Sequence, residues 1–175
     1  MPARVVGGLA LRKALKQFEP DLAKETSKEI ASFVKPLAKN ARGFLPSNEE
    51  APSGWLKRDN AKGKWAARYY DAGEARRGIS FKTTPSKANA RGFRALASVL
   101  NKSAAGAIYE TAGRKSGIVG NFTPQLGGDI KGRSQKSSGR AIFRAFTEDQ
   151  GKATAGVLQA IQKSAAKFNA RKANV

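Results

Sequence analysis

Between Leu9 and Ala41 the apolar residues Leu11, Leu15, Phe18, Leu22, Ile30, Phe33, Val34 and Leu37 recur mostly at spacings of three, four or near seven. That is the period of one face of a helix, not the alternation a half-buried strand shows. Such a stripe is stable only when something else covers it, so the chain must build around packed helices. Pro20 interrupts the stripe, and proline is tolerated in a first turn but not in mid-helix. The spacing therefore predicts a short helix ending near Phe18 and a second starting at Glu19 or Pro20. Asp21 and Glu25 fall in its first turns, where the helix dipole favours acids. Pro36 is expected to kink or end this second helix, although the pattern runs on to about Ala41.

A second stripe closes the chain. In "AIFRAFTEDQGKATAGVLQAIQKSAAKFNARK" the residues Phe143, Phe146, Val157, Leu158, Ile161, Ala165 and Phe168 keep helical spacing, and Thr147 followed by Glu148 and Asp149 reads as an N-cap with acids after it. Between the stripes, "GISFKTT" at 78–84 alternates as a strand does, while "FRALASVLN" at 93–101 fits strand or helix, and "KWAARYY" at 64–70 is a further short run. The stretch 43–64 is rich in Pro, Gly, Ser and Asn and reads as a long loop. Residues 114–140 hold six glycines and six bases against one acid, Asp129, and read as a flexible basic loop.

The expected fold class is α+β in a single domain over residues 1–175. N-terminal helices (1–42) are followed by a loop (43–64), a block of strands forming a small antiparallel sheet (65–113), a basic Gly-rich loop (114–140) and a long C-terminal helix (141–172).

Charge is the abnormal quantity. Lys and Arg total 33 against 13 acids, a formal +20, and the excess runs through every segment: 9 against 4 over residues 1–42, 12 against 5 over 43–103, 7 against 2 over 104–147 and 5 against 2 over 148–175. A field of that sign favours polyanions or acidic protein surfaces. The chain has no cysteine and no histidine, which removes disulfides, thiolate and imidazole metal sites and the commonest general base. No apolar run reaches the length of a membrane span, and the N-terminus lacks a signal-peptide core, so a soluble protein made in a cytoplasm is expected, without membrane contact.

Catalytic signals are weak. The acid pairs Glu49 and Glu50, Asp71 and Glu74, and Glu148 and Asp149 sit where caps and solvated faces occur. "GGDIKGRS" at 127–134 approximates a phosphate loop, but Arg133 replaces the lysine and neither a buried strand nor a helix flanks it. No catalytic residue, metal or cofactor is expected. Arg114, Lys115, Lys131, Arg133, Lys136 and Arg140 on the basic loop suit contact with phosphates or with an acidic partner. Trp55, Trp65, Tyr69 and Tyr70 lie among bases, which suits a base-stacking platform or anchors in a core or interface.

Two elements carry a resemblance. "AAGAIYETAG" places an aromatic residue, a glutamate and a glycine at Tyr109, Glu110 and Gly113, and "GRAIFRAFTED" runs Arg140, Ala141, Ile142, Phe143, Arg144, Ala145 into the last helix. With the leading amphipathic helix and the "APSGWL" loop, they resemble the tail-completion (head–tail joining, or neck) proteins of long-tailed bacteriophages. The segment between the two elements is longer here than is usual in that family.

The resemblance implies a non-enzymatic structural virion protein, assembled in the host cytoplasm, that forms a ring, expected to be hexameric. The ring would lie in the neck or upper tail between head connector and tail tube, near the DNA path. It also implies a subunit interface through Tyr109, Glu110, Arg140, Phe143, Arg144, Trp55 and Trp65, with Glu110 paired to Arg140 or Arg144 of its own or the next subunit. The alternative is a sequence-nonspecific nucleic-acid-binding protein, which the charge alone equally suits.

Overall fold

A computed structural model describes residues 7–56, 69–114, 122–126, 130–132 and 138–173. The first two helices are α1 (Gly8–Phe18) and α2 (Pro20–Gly43), parted by Glu19. The break falls there because the residue before a proline is pushed out of helical geometry, while Pro20 itself opens a helix well. Pro36 does not end α2, which continues to Gly43. The lost backbone bond is outweighed by burial on both sides of it, at Val34, Leu37, Ala38 and Ala41.

The chain then forms a 3-10 turn at Ser53–Trp55, α3 (Ala72–Gly78), β1 (Ile79–Lys82), β2 (Ser98–Asn101), α4 (Ala104–Thr111), α5 (Phe122–Gln125), β3 (Lys131–Gly132), β4 (Ser138–Gly139), α6 (Ile142–Asp149) and α7 (Lys152–Ala173). β1 pairs with β2, and β3 pairs antiparallel with β4, Lys131 opposite Gly139 and Gly132 opposite Ser138. The fold is α+β.

Two expectations change and one open reading resolves. The block 65–113 contains two helices as well as strands. At α3 this is because Asp71 accepts a hydrogen bond from the Glu74 N–H (2.7 Å), a cap that starts a helix. At α4 Ser103 does the same for Gly106 (3.0 Å). Of "FRALASVLN" only the end is strand. The C-terminal stripe is two helices, because Gln150 and Gly151 take left-handed φ values of 52° and 85° and turn the chain. Thr147, Glu148 and Asp149 are thus the last turn of α6 rather than a cap, and the Thr147 hydroxyl donates back to the Phe143 carbonyl (2.9 Å).

The chain divides into two compact units. The first comprises Met1–Pro36, Phe81–Ser98 and Gly151–Val175, and the second Leu37–Ser80 and Val99–Gln150. In the first unit, α2 and α7 run antiparallel with a register that the pairs spell out. Glu19 meets Arg171 (2.8 Å), Glu25 meets Lys167, Glu29 meets Lys163 (2.9 Å), and Phe33 covers Gly156. Acids on one helix face bases on the other, so the pairs favour this register, though exposed pairs of this kind add little to stability. The apolar floor beneath them is Leu22, Ile30, Val157, Ile161 and Phe168, with Leu11 and Leu15 from α1. One polar contact is buried among them, Thr26 to Ser164 at 2.7 Å. Both hydroxyls also bond the backbone of their own helix, at Leu22 and Ala160, so neither is left unpaired.

Gly156 is the close-approach point: a Cβ there would stand 2.2–2.7 Å from the Phe33 ring. Gly156→Ala is therefore expected to destabilise by about 1–2 kcal/mol in denaturant titration, overcoming the roughly 1 kcal/mol that helix propensity gives alanine. Gly151→Ala, where φ is 85° but no atom lies within 4 Å of the added carbon, separates backbone strain from steric overlap.

Candidate functional site

The second unit brings the two resembling elements together. α4 ends at Thr111, and its last turn exposes backbone carbonyls; α6 begins at Ile142, and its first turn exposes backbone N–H groups. Glu110 is only 5% exposed, and it spends its carboxylate on α6. Oε2 accepts from the N–H of Ala141 (2.7 Å) and Ile142 (3.0 Å), and Oε1 accepts from Phe143 (2.9 Å). The helix's own capping residue, Ala141, has no side-chain oxygen to offer, so the cap comes from α4. A full negative charge at a helix N-terminus adds the attraction of the dipole.

Arg140 returns the interaction. Its Nη1 donates to the carbonyls of Tyr109 (3.1 Å) and Ala112 (2.6 Å) at the end of α4, and its guanidinium lies 5.9 Å from the centre of the Tyr109 ring. A residue in the last turn of α4 caps the start of α6, and a residue just before the α6 cap in turn caps the end of α4. Both side chains are buried, so five charge-assisted bonds replace water at once.

Glycines make the approach possible. A Cβ on Gly139 would lie 2.1 Å from Oε1 of Glu110, and Gly113, with φ 81°, turns the chain sharply after α4 where a Cβ would meet Thr123 at 2.5 Å. Gly106 leaves no room for a Cβ beside Asn101 and Ser103 (2.3 and 2.5 Å), which is where the small residues of "AAGAIYETAG" permit close packing. Arg114 closes the cluster. Its Nε donates to the Ser138 carbonyl on β4 and its guanidinium lies 4.7 Å from the centre of the Phe143 ring.

Glu110 therefore meets backbone N–H groups where an arginine partner was expected. Arg144 is turned the other way: its Nε pairs with Glu148 (2.9 Å) and its guanidinium stacks over Phe44 at 4.1 Å. Tyr109 is buried and Phe143 half-buried. Trp55 is buried against Tyr70, ring centroids 4.9 Å apart, and the Tyr70 hydroxyl donates to the Pro46 carbonyl at 2.7 Å. These two rings are core, which removes them from any base-stacking platform. Among the basic-loop candidates, Arg114 and Arg140 are engaged within the unit and Lys131 is exposed on β3. Trp65, Lys115, Arg133 and Lys136 lie outside the described residues, as do most of "KWAARYY" and of "GGDIKGRS".

Burial holds the phenols of Tyr70 and Tyr109 protonated above the usual tyrosine value of 10, with Arg76 and Arg140 respectively opposing the shift. A group whose folded pKa is raised contributes fully below its unfolded pKa and loses that contribution as pH climbs through the folded one. Stability is thus expected to fall as pH rises past 10, with tyrosinate absorbance appearing together with loss of helical circular dichroism. Ionisation of all three tyrosines near 10 with helicity intact would show that the rings are solvated.

Both carboxylate oxygens of Glu110 are thus occupied by backbone N–H groups of α6 and its cap. Among the described residues no three His, Cys, Asp or Glu side chains gather to hold a metal, and no helix is long and apolar enough to cross a membrane. No protein-family model, curated protein or solved structure matches the chain.

Proposed function

We propose that the chain is a non-catalytic structural subunit of a tailed-phage virion. It forms an oligomeric ring, expected to be hexameric, in the neck or upper tail, where it joins the head connector to the tail tube. The observation that carries this reading is the reciprocal cap. The element carrying Tyr109, Glu110 and Gly113 and the Arg–small–apolar–Phe element from Arg140 to Phe143, resembling those of neck proteins although Gly113 stands further from the glutamate, meet through Glu110 and Arg140 and fix the start of α6. A ring subunit needs a rigid body with apolar side chains left for its neighbours. Phe93, Phe146 and Leu158 are 71%, 43% and 50% exposed. Each contact would recur head to tail around the ring until it closes. The positive surface would then face packaged DNA or acidic partners in the virion, after assembly in the host cytoplasm.

A second reading, a sequence-nonspecific nucleic-acid-binding protein, is favoured by the +20 charge. Light scattering of the purified protein at low and moderate salt, alone and with a short duplex, separates the two. Closed rings of one size, or a monomer that ignores duplex at moderate salt, is the expected result. A monomer that binds duplex tightly, with affinity falling steeply as salt rises, would overturn the structural reading.

A further inference from the structure

The first unit carries a groove of about 1020 Å³ between α1, the first half of α2 and the segment around Thr84 to Arg94. The apolar lining of its floor is Leu9, Ala10, Pro20, Ala23 and Pro85, with Leu15 fully buried beneath them. Its rim is basic: Arg12, Lys13, Lys16, Lys24, Lys28 and Arg94 line it, and no acid among the described residues does. Lys24 touches Asp21 at 3.4 Å, but that pair is nearly fully exposed. Arg12 is half-buried; its Nη2 reaches Ser27 at 3.3 Å, while its buried Nη1 has no hydrogen-bond partner.

We propose that this groove docks an acidic amphipathic helix of a partner protein, its apolar stripe on the floor and its carboxylates against the rim. Charge complementarity chooses the occupant. An apolar slot edged by charges of one sign fits a helix with an apolar stripe and flanking carboxylates. A phosphate backbone would satisfy the rim but leave the floor uncovered. A second copy of this chain fits poorly, since it carries the same excess of bases and the acids of its longest acidic face, Glu19, Glu25 and Glu29, are already paired with α7. The inference stands apart from the neck reading, because it rests on the first unit alone.

The test is fluorescence anisotropy of a labelled synthetic peptide with a Leu stripe flanked by Glu, at moderate salt. A shuffled peptide of identical composition, without the stripe, serves as the control. Saturable binding at one site is expected, about tenfold weaker for the shuffled peptide. Reversing two rim charges together, Lys16→Glu and Lys24→Glu, is expected to weaken binding by about tenfold or more. Reversing two exposed lysines elsewhere, Lys39→Glu and Lys102→Glu, changes it little. Leu9→Ser, at an exposed floor position, weakens binding without altering the rim. Equal affinity for the shuffled peptide, equal loss in the control variant, no saturable binding, or displacement of the peptide by short duplex DNA as the tighter ligand would each overturn the proposal.

Discussion

Glu110→Ala is expected to destabilise the second unit by about 3–4 kcal/mol, since it strands three buried N–H groups at the start of α6. An ordinary N-cap deletion costs about 1 kcal/mol, and the excess comes from burial and from the loss of a full charge at the helix dipole. Glu110→Gln keeps the shape but offers one acceptor and turns a donor toward another donor, so a loss of about 2 kcal/mol is expected. Urea titration followed by tryptophan fluorescence in a Trp65→Phe background reads the unit directly, because Trp55 is then the sole tryptophan and its ring is buried beside Tyr70. A loss under about 0.5 kcal/mol for both variants would mean that water replaces the carboxylate freely, as at an exposed surface.

Arg140→Met is expected to cost about 3 kcal/mol by the same readout. The thioether fills part of the space, but the carbonyls of Tyr109 and Ala112 lose their donor and the buried charge of Glu110 loses its nearby counter-charge. Arg140→Lys should recover less than half of this, since a lysine ammonium ends one bond short of the Nη1 position that serves both carbonyls and loses the planar group beside the Tyr109 ring. Full rescue by lysine would reduce the role of Arg140 to charge alone.

The helices were legible where periodicity and proline chemistry act locally. The break at Glu19 follows from Pro20, and the α+β class follows from two helical stripes around a strand-like middle. Pro36 was legible as a local cost, but not as one that packing at Leu37 and Ala41 would absorb. The end of α6 was hidden because Thr147, Glu148 and Asp149 have the chemistry of a helix start, while Gln150 adopts a left-handed φ that its residue type does not announce.

At the candidate site, the sequence singled out Tyr109, Glu110, Arg140 and Phe143 but not how they meet. Charge arithmetic pairs a glutamate with an arginine. The folded chain gives each of them backbone dipoles instead, a choice that depends on two helix ends 30 residues apart arriving at the same place. Gly139, directly before Arg140, was the one local hint, since only a residue without Cβ admits the carboxylate so closely. For Trp55 the sequence left a base-stacking platform and an anchor in a core or interface both open, because its neighbours in sequence are basic, and its burial comes from Tyr70, which no spacing rule brings to it.

The central claim is that Glu110 and Arg140 form one cooperative joint between α4 and α6, and a double-mutant cycle tests it most directly. Stability is measured for the parent, Glu110→Ala, Arg140→Met and the double variant under one set of conditions. A reciprocal cap predicts a double variant less destabilised than the sum of the singles by about 1–3 kcal/mol, because the second deletion removes partners the first has already stranded. Additivity within about 0.5 kcal/mol would contradict it and leave two independent caps that merely lie side by side.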